Sequence, residues 1–316
     1  MAPLDATTAA TRFDSFDIYH TSYKKIGDHE IELGILVPND LKPDKHPLLV
    51  KFHGGGLVTG HCLFPDWIAA FFIPFIHRTN SIVVLPNYRL VPEHSGADIL
   101  CDLTDFWKWF HSGALGAFLS SQNLSLDLDY ESVLVSGDSA GGYMALMSGL
   151  TQPKGSIRAV LAQYPMTNYL RRSKVSTYLN QDVPPSSMID EHVASIKPGT
   201  VFSAATPPAR MLLSYAFSAY GRYLEFFGDD KKLWPVNLIE DKDYLPPTWI
   251  VHGEADTAVS VEDSKVFAEK CKELDGVEVR LVVRPGEEHG FDIGLKEDET
   301  EWLKEGLSWI QGIWLR

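Results

Sequence analysis

Val133-Leu134-Val135-Ser136-Gly137-Asp138-Ser139-Ala140-Gly141 carries a short apolar run into a glycine-bounded turn, and Ala140–Leu150 continues as a helix-forming stretch. Strand, tight turn and helix in that order is the context in which Gly-x-Ser-x-Gly acquires chemical meaning. A serine on such a turn projects its hydroxyl from the carboxyl edge of a sheet, and the flanking glycines relieve crowding around the strained backbone. The helix N-terminus behind it favours developing negative charge. Ser139 is therefore the candidate nucleophile, although the pentapeptide alone also suits a glycine-rich turn without chemistry.

On either side of this segment lie further short apolar runs: Pro47–Phe52, Ile82–Leu85, Ala159–Ala162, Thr248–Val251 and Val277–Val283, with Ser132–Val135 among them. Parallel strands buried on both faces have this continuous apolar character. Most of the gaps can hold a helix, such as the Trp- and Phe-rich Ala97–Leu119, so the alternation predicts an α/β doubly wound sheet. Ile18–Tyr23 and Ile31–Val37 alternate apolar with polar residues around Gly27-Asp28, as an antiparallel hairpin at a sheet edge would. Residues 1–15 precede it as a tail or cap segment. From about 170 to 243 the pattern changes: Pro184-Pro185, Pro198-Gly199 and Pro207-Pro208 punctuate aromatic helical stretches such as Met211–Phe227. Burial of so many Tyr, Phe and Leu residues favours a helical cap inserted into one domain over a long surface excursion.

A second chemical signal is His53-Gly54-Gly55-Gly56, directly after the apolar run ending at Phe52. Consecutive glycines present backbone N–H groups unobstructed by side chains. Acyl transfer builds an oxyanion that such donors stabilise, each by about 3–4 kcal/mol. Gly55 and Gly56 are assigned this role, with Gly54 as a further candidate, together with the N–H of Ala140. The segment lacks the Gly-Lys-Ser/Thr of a phosphate-binding loop.

The composition excludes several classes. The 316 residues are 45% hydrophobic and 22% charged, suited to one large globular domain. A formal net charge of −14 without a Lys/Arg cluster argues against nucleic acid and anionic membranes as partners. No stretch approaches the roughly 18 apolar residues of a membrane span. Met1–Tyr23 carries Asp5, Asp14 and Asp17 but no apolar run, so no secretory leader is expected there. Cys62, Cys101 and Cys271 are an odd set without metal-site spacing, which fits reduced thiols in a cytoplasmic protein. His53, His61, His94 and His252 form no His-x-x-x-His pattern, so neither a metal nor a cofactor is implied.

His53-Gly54-Gly55-Gly56, Tyr88-Arg89-Leu90-Val91-Pro92-Glu93-His94 and Gly137-Asp138-Ser139-Ala140-Gly141, in that order, make the chain from about Leu48 onward resemble the hormone-sensitive-lipase-like esterases. The resemblance implies the α/β-hydrolase fold: a mostly parallel doubly wound sheet of about eight strands, helices on both faces, and an inserted cap. Val91 stands where that family has Ala in its second motif, and the following Ala-x-x-Asp element is met by Ala97-Asp98-Ile99-Leu100-Cys101-Asp102. These residues are expected to brace the oxyanion loop; on residue chemistry alone, Arg89 and Glu93 suit a solvated pair equally well.

The acid and base of a triad should follow the serine in that order. The family places its acid after the strand Thr248–Val251, hence Asp256, with Glu254 and Asp263 as rivals. The family's Asp-Pro-Leu-x-Asp is here Asp256-Thr257-Ala258-Val259-Ser260, so its second acidic position is lost. His289, after Val277–Val283, is the best placed of the 11 histidines, with room for one helix and that strand between it and Asp256. The expected activity is hydrolysis of small to medium acyl esters, with a small-molecule ester as partner and a homodimer left open. An acyltransferase or lyase in a biosynthetic pathway could use the same triad, and a ligand receptor on an inactive scaffold ranks last because base and nucleophile are both present.

Overall fold

The computed structural model describes residues 4–169, 175 and 177–316. Eight strands form the main sheet: β1 (Phe16–Ile26), β2 (His29–Pro38), β3 (Lys45–Phe52), β4 (Ile82–Pro86), β5 (Asp127–Asp138), β6 (Ala159–Gln163), β9 (Thr248–Gly253) and β10 (Val279–Arg284). Between β6 and β9 a two-stranded hairpin, β7 (Thr177–Tyr178) and β8 (Gln181–Asp182), stands apart. The order in the sheet is β1-β2-β4-β3-β5-β6-β9-β10. β2 pairs antiparallel with both neighbours, and the pairs from β4 to β10 are parallel. This is the α/β-hydrolase arrangement that the motif order implied.

The central strands look apolar because each serves two cores. Leu48, Val50 and Phe52 of β3, and Val133 and Val135 of β5, enter the larger core; Leu49 and Leu134 between them enter a second core on the opposite face. Helices α2 (Gly96–His111), α3 (Ala114–Ser121), α4 (Ala140–Thr151) and α9 (Val261–Lys272) cover the first face. Helices α1 (Phe72–Thr79) and α10 (Glu301–Trp314) cover the second. A period of two in these central strands therefore carries no polar signal.

The single helix expected over Ala97–Leu119 is two. Gly113, at φ +81°, separates α2 from α3, while Phe106, Phe110 and Leu115 continue the buried face across the break. An apolar period that persists through a turn hides the turn from a periodicity argument. Met211–Phe227 likewise divides at Gly221, φ +66°, into α6 (Met211–Tyr220) and α7 (Tyr223–Phe227). Strand ends also moved: β5 extends back to Asp127, and β10 begins at Val279 rather than Val277.

The first residues of the region expected to form a cap, 170–174 and 176, lie outside the described residues, as do 1–3 of the expected tail. The described part of the cap region contains the β7–β8 hairpin, α5 (Ser187–Ser195), α6, α7 and the short α8 (Pro235–Leu238). Its aromatic residues divide between two environments. Phe217, Tyr223, Phe227 and Trp234 are buried in the larger core, and the Tyr143 hydroxyl of α4 donates to the Leu233 carbonyl at 2.9 Å. Tyr178 and Tyr215 face a cavity instead. Several of the cap region's aromatic side chains thus complete the core rather than line a pocket. Of the tail, Leu4 and Phe13 pack against the second core. No described helix is long and apolar enough to cross a membrane.

Candidate active site

Ser139 sits between β5 and α4 at φ +56°, ψ −116°, a conformation L-residues adopt at a cost of order 1–3 kcal/mol. Neighbouring backbone holds it there: its N–H donates to Gln163 O at 2.8 Å, and its carbonyl accepts from Met166 N at 3.2 Å. The turn is also tightly packed, because a Cβ on Gly141 would overlap the Phe52 carbonyl, and one on Gly137 the Gly141 backbone. The two glycines are required for close approach rather than for their own φ. Ser139 is 8% exposed and opens into a cavity of about 100 Å³ shared with Gly55, Gly56 and His289.

Asp256 and His289 lie on the loops that follow β9 and β10. His289 Nδ1 donates to Asp256 Oδ2 at 2.7 Å, and Asp256 Oδ1 accepts from Ala258 N and Val259 N at 2.8 and 2.7 Å. Burial alone would raise the Asp256 carboxyl, but His289 and His252 hold it well below the usual carboxylate range. Burial alone would lower the His289 imidazole; the Asp256 charge and hydrogen bond outweigh it and raise the group above 6.5. Of the rivals, Glu254 is exposed and Asp263 lies on α9. Among the described residues no hydrogen bond joins Ser139 Oγ to His289; the two meet across the cavity.

The Gly54–Gly56 loop has its carbonyls committed. Gly54 O meets His53 Nδ1 at 2.9 Å, Gly55 O accepts from Thr59 N at 3.0 Å and Ser214 Oγ at 3.2 Å, and Gly56 O accepts from Tyr223 Oη at 2.6 Å. Among the described residues, no acceptor takes the N–H of Gly54, Gly55, Gly56 or Ala140. Gly55 and Gly56 line the cavity, at φ +95° and +64°. Gly54 does not: a Cβ there would overlap the Asp138 carboxylate. Ala140 is fully buried at the first turn of α4.

The Tyr88–His94 segment reaches in three directions. Tyr88 Oη donates to His53 O at 2.6 Å, bracing the glycine loop. Arg89 donates to Asp102 at 2.8 Å and Asp98 at 3.0 Å on α2, so it is a buried clasp and not a solvated partner of Glu93. Glu93 instead binds Arg210 at 2.8 Å and His192 at 2.9 Å, and His94 Nε2 accepts from Phe202 N at 3.1 Å, all in the cap region.

Several site residues escaped the sequence reasoning. Tyr164, just beyond β6 at φ +38°, packs its ring 4.4 Å from that of His289 and donates its hydroxyl to the buried Asp292 at 2.8 Å. Its place at the carboxyl end of a central strand was the available signal. Glu288 accepts from Thr257 N at 2.6 Å and from the backbone N–H of His289 at 2.8 Å, tying the Asp256 and His289 loops together. The contacts of His252 with Asp256 and of Lys51 with Asp138 were also missed.

A family model described as alpha/beta hydrolase fold, Abhydrolase_3, matches residues 49–293. The probable carboxylesterase M8 of Phoma sp. is 29% identical over 318 residues, covering 96% of this chain and 98% of that protein. The probable carboxylesterase clz11 of Cochliobolus lunatus is 30% identical over 57% of this chain and 87% of its own length. Among solved structures, the butyrate-bound esterase Est2 of Thermogutta terrifontis aligns with a TM-score of 0.59 at 22% identity, covering 96% and 94% of the two chains, a likeness of fold. By the match of the family model to residues 49–293, this chain belongs to the hormone-sensitive-lipase-like family of the alpha/beta-hydrolase fold.

Proposed function

We propose that this carboxylesterase-type hydrolase cleaves esters of short carboxylic acids with Ser139 as nucleophile, His289 as base and Asp256 as the acid that orients it. The observation carrying the proposal is the meeting, at one cavity, of a strained serine, free loop N–H groups and a histidine held at 2.7 Å by a buried carboxylate. In this reading His289 Nε2 takes the Ser139 proton and the alkoxide attacks the ester carbonyl. The N–H groups of Gly55, Gly56 and Ala140 stabilise the oxyanion. His289 then protonates the departing alcohol, and water, activated in the same way, releases the acid from the acyl-enzyme. Asp256 keeps the proton on Nδ1 and balances the imidazolium.

A cavity of about 100 Å³ walled by Trp67, Tyr164 and Tyr215 supports a short acyl group, since pockets for drug-sized ligands run to roughly 300–1,000 Å³. The three unpaired cysteines, Cys62 and Cys271 buried and Cys101 exposed, support a reducing, cytoplasmic setting. The test is a p-nitrophenyl ester series. Acetate or butyrate should turn over faster than long chains, Ser139→Ala should lose about three orders of magnitude in kcat or more, and a fluorophosphonate should label Ser139. Activity rising steadily to C16, or surviving in Ser139→Ala, would overturn the proposal.

A further inference from the structure

Lys51 interrupts an otherwise apolar stretch, Leu48-Leu49-Val50-Lys51-Phe52, just ahead of His53-Gly54-Gly55-Gly56. Its side chain is 3% exposed, and an ammonium so placed is costly unless paired. The partner is Asp138, the neighbour of Ser139: Lys51 Nζ lies 2.5 Å from Asp138 Oδ1, with Trp67 O at 3.4 Å and the Phe72 ring centroid at 5.6 Å. Phe52 and Gly137 are register partners in β3 and β5, so the ion pair spans the exits of the two strands that launch the oxyanion loop and the nucleophile turn.

The carboxylate's position makes this more than a core ion pair. Asp138 lines the cavity beside Ser139, and its Oδ2 lies so close to Gly54 that a Cβ there would overlap it. A carboxylate is thus fixed beside the loop whose N–H groups face a forming oxyanion. Like charges in a site of low effective dielectric repel strongly, and the repulsion would be greatest at the transition state, when the oxyanion is most developed. A cation on the far side of the same carboxylate cancels that field without touching substrate.

We propose that Lys51 is a positioning residue: its ammonium neutralises Asp138 and clamps the nucleophile turn to the oxyanion loop, so that negative charge develops beside a net-neutral pair. The inference rests on the reading of Ser139 as nucleophile. Its effect falls on the transition state, so it predicts a loss in kcat with little change in KM.

The experiment compares the full-length protein with Lys51→Met, Asp138→Asn and the double variant, using p-nitrophenyl butyrate and following folding by circular dichroism. Lys51→Met should lose about 100-fold in kcat with KM within about threefold. The double variant, which carries neither charge, should regain at least about tenfold of that loss. A folded Lys51→Met with kcat near wild type overturns the proposal, and so does a double variant no better than Lys51→Met. Should Lys51→Met fail to fold, the double variant decides: kcat within about tenfold of wild type supports neutralisation, and a folded but inactive double variant overturns it. Fluorophosphonate labelling of Ser139 in the wild type keeps the underlying reading separate. If labelling is absent the nucleophile assignment fails, whereas normal labelling beside an indifferent Lys51→Met sinks this inference alone.

Discussion

His252 lies against the same oxygen of Asp256 that accepts the hydrogen bond from His289 Nδ1, its Nε2 3.2 Å from Oδ2. Nε2 faces only acceptors, this carboxylate oxygen and the Val259 carbonyl at 3.0 Å, and so is the donor, while in the neutral ring Nδ1 accepts from Ser264 Oγ at 2.8 Å. The Asp256 side chain is inaccessible to solvent and receives two imidazole and two backbone donors. Such a carboxylate stays ionised, cannot rotate freely, and presents one oxygen to His289 in a fixed direction.

Asp256→Asn should lower kcat by about 10⁴-fold, as expected when the orienting acid is lost and the histidine tautomer is no longer enforced. Glu254→Gln and Asp263→Asn should remain within about twofold of wild type. Steady-state kinetics on p-nitrophenyl butyrate would check this, and an inactive Glu254→Gln would move the acid by two residues.

His252→Phe keeps a ring of similar size in a fully buried place but removes both nitrogens. Asp256 loses a donor and the Ser264 hydroxyl loses its acceptor. We expect a stability loss of about 1–3 kcal/mol in urea unfolding and a fall in kcat of about tenfold. Unchanged kcat would show that the second imidazole packs without helping to hold the acid.

The acid limb of kcat/KM should have its midpoint above 6.5, because the base must be neutral and Asp256 raises His289 despite burial. In the residual activity of Asp256→Asn the limb should move to lower pH, since burial then acts without the carboxylate. The linkage has a matching sign. With its folded value raised, His289 contributes stability that is fully present below about 6.5 and is lost as pH rises through the folded value. A limb at or below 6 in the wild type would contradict the geometry.

Glu93→Ala should uncouple the cap from the body. The Arg210 and Glu93 side chains are 9% and 5% exposed, and removing one partner strands a buried cation. The expected cost is about 3 kcal/mol in denaturant unfolding. Because α6 begins at Met211 and supplies Ser214 and Tyr215 to the cavity, KM should rise as well. A loss below about 0.5 kcal/mol would mean that Arg210 finds another partner or water.

The parts legible in the sequence were those set by local chemistry and chain order. Leu48–Phe52 and Val133–Val135 announced buried strands, Gly137–Gly141 a strained turn, and the spacing of Asp256 and His289 fitted one helix and one strand between them. What stayed hidden depends on partners distant along the chain. Lys51 looks like a blemish in a strand until Asp138, 87 residues away, is placed beside it. Glu288 gains its meaning from Thr257, 31 residues earlier, and Tyr164 from Asp292, 128 residues later. The break at Gly113 was invisible for the opposite reason: Phe110 and Leu115 keep the same buried face on both sides of it.

Phe227 and Trp234 give the cap region and the sheet a common interior, and this bears on how a substrate gets in. A lid that swung open as a body would have to pull both side chains, and the hydrogen bond from Tyr143 to Leu233, out of the larger core, at a cost comparable to unfolding. Any opening of the cavity is therefore expected to be a smaller motion. The β7–β8 hairpin offers one: it turns at Leu179 and Asn180, both at positive φ, places Tyr178 and Leu179 on the cavity wall, and is tied to the acid and base loops through Thr257 and Glu288. Local breathing of that thin flap, with the rest of the cap melting together with the sheet, would show in hydrogen exchange as fast amides at 177–182 beside slow ones in α7.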